Sequence, residues 1–174
     1  MESIAVPGKS DERTVVVPED FFAALGARLL RDFGPAGAED VLYELGRDAG
    51  RSFVRMTERY FGGPMRSADD FRRVIAMFGR EYRWADVDVR TLDLPGKFML
   101  VEWRNGIGVP KGGSPRPVCH LGRGLLSGAA EVAFEEPCDA IETQCQAMGA
   151  DHCEIVVAVP AKLSGLAEGA DRPT

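Results

Sequence analysis

The sequence predicts an α+β fold: N-terminal helices, then an antiparallel β-sheet with a further helix and a C-terminal β-hairpin. Apolar residues recur at helical spacing through the first half, from Phe22 to Phe78. Period-two alternation takes over at Val87, and two strand-like runs flank a turn around Met148-Gly149-Ala150-Asp151. Helices first and strands later is the order of an α+β chain.

Residues 1–13 are polar and read as a flexible tail, 14–162 as a single domain, and 163–174 as a second flexible tail. Thr14 to Val17 suits a short edge strand, because β-branched side chains favour a pleated surface. Pro18, Glu19 and Asp20 open a helix whose apolar stripe is Phe22, Leu25, Leu29 and Phe33, and Gly34-Pro35 ends it. A longer helix follows from Ala38 to Tyr60, with Leu42, Leu45, Ala49, Phe53, Met56 and Tyr60 on its buried face. Gly46 and Gly50 interrupt that face at about 1 kcal/mol each relative to Ala. They suggest close approach of another backbone or one wall of a pocket, plain helix packing being the simpler reading. Ser67, with Asp70 three residues on, caps a third helix carrying Phe71, Val74, Ile75 and Phe78.

In the second half, Val87, Val89 and Thr91 alternate with Asp86, Asp88 and Arg90 as a half-buried strand. Leu94 to Lys97 makes a turn, and Phe98 to Arg104 the next strand, with Met99, Val101 and Trp103 on one side and Phe98 and Leu100 on the other. After a Gly- and Pro-rich loop, Val118 to Phe134 reads as a fourth helix, small-sided through Gly122, Gly124, Gly128, Ala129 and Ala130. Asp139 to Cys145 and Cys153 to Val159 form the closing hairpin.

At 174 residues the chain can bury a core without disulfide staples. A net charge of −6 with no basic block argues against direct nucleic-acid binding. No stretch approaches the ~18 apolar residues of a membrane span, and the N-terminus lacks a signal-peptide core. A cytoplasmic location is therefore expected, where thiols stay reduced and clustered cysteines lean towards metal binding or free thiols.

The residues with most chemistry form the pattern C-x22-E-x2-C-x7-C, from Cys119 through Glu142 and Cys145 to Cys153. Cys119 opens the fourth helix, where the dipole favours a thiolate, and the hairpin turn brings Cys145 to Cys153. Three thiolates and a carboxylate satisfy four-coordinate zinc. Strand parity, however, points Glu142 and Cys145 to opposite faces, so a shared ion needs a bulge or a strand-to-turn transition between them. By spacing alone other readings stay open. A Cys145–Cys153 disulfide is conceivable, and His120 or His152 could stand in for Glu142. Cys138 reads as a spare, a small buried hydrophobe.

The segment Cys119 to Val157 resembles the C-terminal core of the 4-vinyl reductase domain family, through Cys119, Glu142, Cys145, Ala147, Gly149 and Cys153. Val41 to Phe53 resembles that family's helix with paired glycines, so the resemblance spans roughly Val15 to Val159. It implies the ligand-binding fold of nitric-oxide-signalling and Golgi-transport proteins, shared with TRAPP transport-particle subunits. It also implies that Cys119, Glu142, Cys145 and Cys153 hold a structural Zn2+ beside a hydrophobic ligand pocket, as in aromatic-compound sensors. Sensor members continue into an ATPase module and a DNA-binding helix-turn-helix, and this sequence ends before either. The sensors' phenol-binding His and Trp find no residue-by-residue match here, and Trp84, Trp103 and Tyr82 serve as core or pocket residues.

Function is accordingly expected to be that of a stand-alone binding module for a small hydrophobic or aromatic ligand. Leu42, Phe53, Phe71, Phe98, Leu100, Trp103 and Leu125 are the pocket candidates. A homodimer through the N-terminal helices and an effector protein are the expected partners. Two alternatives stand beside it: a protein-interaction scaffold of transport-particle type, and a tetrapyrrole vinyl-reduction enzyme or accessory protein. Against the enzyme, Lys111-Gly112-Gly113 lacks the dinucleotide fingerprint, and four protein ligands close a zinc ion to substrate, so no catalytic residue is assigned.

Overall fold

The computed structural model describes residues 17–65, 67–107 and 113–164. The expected tail 1–13, residues 14–16 of the expected edge strand, and all of the tail 163–174 beyond Ser164 lie outside them. The order is α1 (Glu19–Phe61), α2 (Ala68–Arg80), β1 (Asp86–Asp93), β2 (Phe98–Arg104), α3 (His120–Phe134), β3 (Asp139–Gln144) and β4 (Cys153–Ala158). A 3-10 turn, Gln146–Met148, joins the last two strands. This is the α+β arrangement expected.

The two helices expected on either side of Gly34 run on as one kinked element. Gly34 has φ 69° and ψ −180°, a backbone region open essentially to glycine alone. Pro35 follows the kink, where a missing N–H costs little. Phe33, expected on the buried stripe, is 63% exposed next to the break.

Beyond the kink the buried face is also displaced from expectation. Leu45 is exposed, and Gly46, Gly50, Val54 and Thr57 are the buried positions. The cause is the backbone of α3. A Cβ on Gly46 would lie 2.2 Å from the Leu121 carbonyl oxygen, and one on Gly50 2.1 Å from that of Leu125. The relation is reciprocal, since a Cβ on Gly128 would lie 2.0 Å from the Arg47 carbonyl oxygen. With side chains missing on both sides, the helices meet backbone to backbone.

At the start of α2, Ser67 Oγ accepts the Asp70 N–H at 3.1 Å and donates to the Asp70 carboxylate at 2.7 Å, the expected cap. The sheet order is β1-β2-β4-β3, antiparallel throughout. In β1 the register shifts between Val89 and Thr91, which leaves Thr91 exposed and turns Leu92 inward. The simple alternation expected through Thr91 therefore fails at that bulge.

One sheet face carries Met99, Val101, Trp103, Ile155 and Val157, packed with Leu125, Leu126 and Ala129 of α3 and Phe71, Val74 and Ile75 of α2. The opposite face carries a smaller cluster of Val156, Ala158 and Leu163 with Phe98, Leu100 and Ile141. Among the described residues no helix is long and apolar enough to cross a membrane.

Candidate metal centre and adjoining cleft

Four elements deliver one cluster. Cys119 is the residue before α3, Glu142 lies on β3, Cys145 immediately follows β3, and Cys153 begins β4. Their ligand atoms all lie within 4.8 Å of one another, and the three cysteines are buried. The strand-parity objection is resolved locally. The β3–β4 register shifts between Glu142 and Gln144, and the strand ends before Cys145. One extra residue, Thr143, thus lets Glu142 and Cys145 face the same point.

Hydrogen bonds hold the donors in place. The Cys119 N–H donates to Glu142 Oε2 at 3.2 Å, and the Gln146 N–H donates to Cys153 Sγ at 3.2 Å. The Cys119 and Cys153 sulfurs are 3.2 Å apart and share a hydrogen bond, which raises the Cys119 thiol far above its ordinary value and lowers that of Cys153. Burial, with the Glu142 carboxylate next, pushes Cys145 up to about 11.

Glu142 Oε1 is buried with no hydrogen-bond partner among the described residues. Leaving a carboxylate oxygen unsatisfied costs more than leaving a neutral group so. A cation answers that need, and three sulfurs with one carboxylate oxygen form a donor set that could hold a metal ion. Cys138 stands apart. Its thiol donates to the Glu136 carbonyl at 3.4 Å, and burial pushes it up to about 12.

Against this cluster lies a narrow cleft between α1, β2 and α3. Its walls include Phe22, Leu42, Trp103, Ile107, Leu121 and Cys119. The cavity volume is about 30 Å³, roughly the share of liquid volume of one water molecule. Phe22 packs on Trp84, ring centroids 5.9 Å apart, and closes one end.

The model of the 4-vinyl reductase domain matches residues 99–159, which include all four cluster residues and β2 through β4. The chain carries a 4-vinyl reductase domain. An uncharacterised protein of Methanocaldococcus jannaschii is 24% identical over 155 residues, 87% of this chain and 83% of that protein. The phenol-responsive sensory domain of the transcription activator PoxR, in its crystal structure with phenol, superposes with a TM-score of 0.77 at 18% identity, covering 94% of this chain and 86% of that one. A trafficking protein particle complex subunit 3 from Naegleria fowleri, covalently bound to palmitic acid, gives 0.57 at 15% identity, covering 80% and 91%. This 4-vinyl reductase domain shares its fold with both.

The seven pocket residues expected from sequence do not gather in one place. Leu42 and Trp103 line the cleft of the 4-vinyl reductase domain. Phe53, Phe71 and Leu125 belong to the main core, Phe71 and Leu125 being 1% exposed. Phe98 and Leu100 lie on the opposite sheet face. Of the aromatic alternatives, Tyr82 meets Phe53 edge-on at 5.3 Å, outside the cleft lining.

Sequence reading missed the polar net that ties α1 to the 4-vinyl reductase segment. Glu131 of α3 accepts from Arg47 Nε at 2.9 Å, from Arg51 at 2.6 Å and from the Cys138 N–H at 3.3 Å. Burial raises the Glu131 carboxyl, but the arginine hydrogen bonds outweigh it and hold it below the usual carboxylate range. Closer to the metal centre, Arg123 bonds Glu39 at 2.7 Å and lies over the Tyr43 ring at 5.2 Å. Tyr43 donates to Asp139 and accepts the Ala140 N–H at 3.1 Å, and burial pushes its hydroxyl up to about 12. The one available signal was Arg47 and Arg51 at i, i+4, which marks a helix face without naming its partner.

Proposed function

We propose that the protein is a sensor-type binding domain for a small hydrophobic or aromatic molecule, with a structural Zn2+ at Cys119, Glu142, Cys145 and Cys153. The observation that carries this reading is the apolar cleft whose wall includes Cys119. Pockets for small molecules are mostly apolar with few polar groups, and this lining fits that description. PoxR's sensory domain, which shares the fold, is phenol-responsive and was crystallised with phenol. Zinc suits the donor set, since it takes thiolate and carboxylate ligands in a closed tetrahedron and contributes folding energy.

A cleft of about 30 Å³ is too small for an aromatic ring. Binding therefore requires a wider state, and the wall contributed by Phe22 and Gly26 is the one that lies before the kink. Phenols and larger aromatic or aliphatic molecules should be titrated while Trp103 fluorescence is followed, with native mass spectrometry detecting any co-purifying molecule. Saturable binding that quenches Trp103 supports the reading. Silence across these classes, in protein shown to be folded, overturns it.

An interaction scaffold is the second reading, favoured by the exposed Leu30, Phe33, Val41 and Leu45 along α1. Such a surface suits a homodimer or an effector protein. An empty protein that forms a stable complex would support the scaffold over the sensor.

A further inference from the structure

We propose that Cys119 and Cys153 are an oxidisable pair, joined in a disulfide when a peroxide reaches the metal centre. The proposal rests on the metal reading only for its second consequence, release of the ion. The pair itself is a property of the fold.

Three observations carry it. The two sulfurs are 3.2 Å apart, so about 1 Å of approach separates them from the length of a disulfide bond. They come from different elements, the start of α3 and the start of β4, which the tertiary fold brings together. Finally, Cys119 is the cluster residue that lines the cleft, and that cleft has room for a molecule only a little larger than water. Hydrogen peroxide is of that size. Cys145 and Cys153 do not line it.

Metal-bound cysteines are thiolates, and the thiolate is the nucleophile towards an oxidant. Cys119 Sγ attacks one peroxide oxygen, the O–O bond breaks, and the departing hydroxide takes up a proton to leave as water. Cys119 is then a sulfenic acid. Cys153 Sγ attacks it, the S–S bond forms, the S–O bond breaks, and the second hydroxide leaves as water with a second proton. Two thiolates, one peroxide and two protons give one disulfide and two waters. Sulfur loses two electrons and the peroxide gains them. Two of four donors are lost to the ion, which a carboxylate and one thiolate hold far more weakly.

The test uses the full chain as purified, with its metal content measured beforehand. Hydrogen peroxide is added in equivalents, released metal is read with a chromophoric chelator, and disulfides are mapped by peptide mass spectrometry without reduction. A Cys119–Cys153 disulfide is expected, with one ion released per bridge and reversal by dithiothreitol plus the metal. Cys138→Ser should behave as wild type, whereas Cys119→Ser should lose the bridge. Because Cys119→Ser also changes a buried core position, the wild-type disulfide map decides on its own. A Cys145–Cys153 bridge, or sulfinic acid at Cys119 without a bridge, overturns the proposal. Protein that carries no metal yet forms the Cys119–Cys153 bridge keeps the proposal and removes the metal reading.

Discussion

A methyl group on Gly124 would sit 1.9 Å from the carbonyl oxygen of Tyr43. No rotamer relieves that clash, because both atoms belong to packed helical backbone.

Gly124→Ala is therefore expected to force α1 and α3 apart and destabilise the protein by about 3 kcal/mol. Gly26→Ala is the control, since a Cβ there meets nothing within 4 Å. Relief of glycine's helical penalty should stabilise it by up to ~1 kcal/mol. Chemical denaturation of both variants checks the contrast, and equal effects would contradict the backbone-contact account.

Metal analysis should find about one zinc per chain, as a single four-ligand site requires. Cys145→Ser is expected to lose it with a clear drop in Tm, and Cys138→Ser to retain it. A chelator should lower the wild-type Tm and leave that of metal-free Cys145→Ser unchanged.

Glu131→Gln removes the charge that Arg47 and Arg51 share, at a cost of about 3 kcal/mol if the pair behaves as buried. Side-chain exposure of 12% at Glu131 places it near that limit. The folded carboxyl lies below the unfolded value of ~4.3, so its contribution is full above that pH and fades as pH falls through the folded value. Stability of the wild type should accordingly fall faster than that of Glu131→Gln as the pH drops below about 4. Parallel curves in urea titrations across that range would count against the assignment.

Leu42→Ala should widen the cleft and strengthen phenol binding, about tenfold if closure is the main obstacle. Gly122→Leu should weaken it, because a Cβ at Gly122 already lies 3.3 Å from the Trp103 ring. Calorimetric titration of both variants reads the difference. Unchanged affinity in both would move the ligand site elsewhere.

Much of this architecture is legible in the residues. The hairpin, the capped α2 and the break at Gly34 follow from local chemistry, and C-x22-E-x2-C-x7-C marks the residues that meet. Other features depend on the partner surface. Leu45 and Gly46 are neighbours, and only the position of α3 decides which one is buried. Phe98 and Leu100 are separable from Met99 and Trp103 by alternation, but alternation does not say which face meets the helices. Glu131 gives no sign of Arg47 and Arg51, since 84 and 80 residues intervene.

The kink at Gly34 divides labour along one helix. Past it, α1 is locked to α3 by glycine contacts and by Glu131; before it, the same helix supplies Phe22 and Gly26 to the cleft. The backbone angles at that joint admit glycine and little else. A single residue therefore lets the chain combine an anchored half with an adjustable one, so that the recognition wall can drift under selection or reposition on binding while the sulfur cluster keeps its shape.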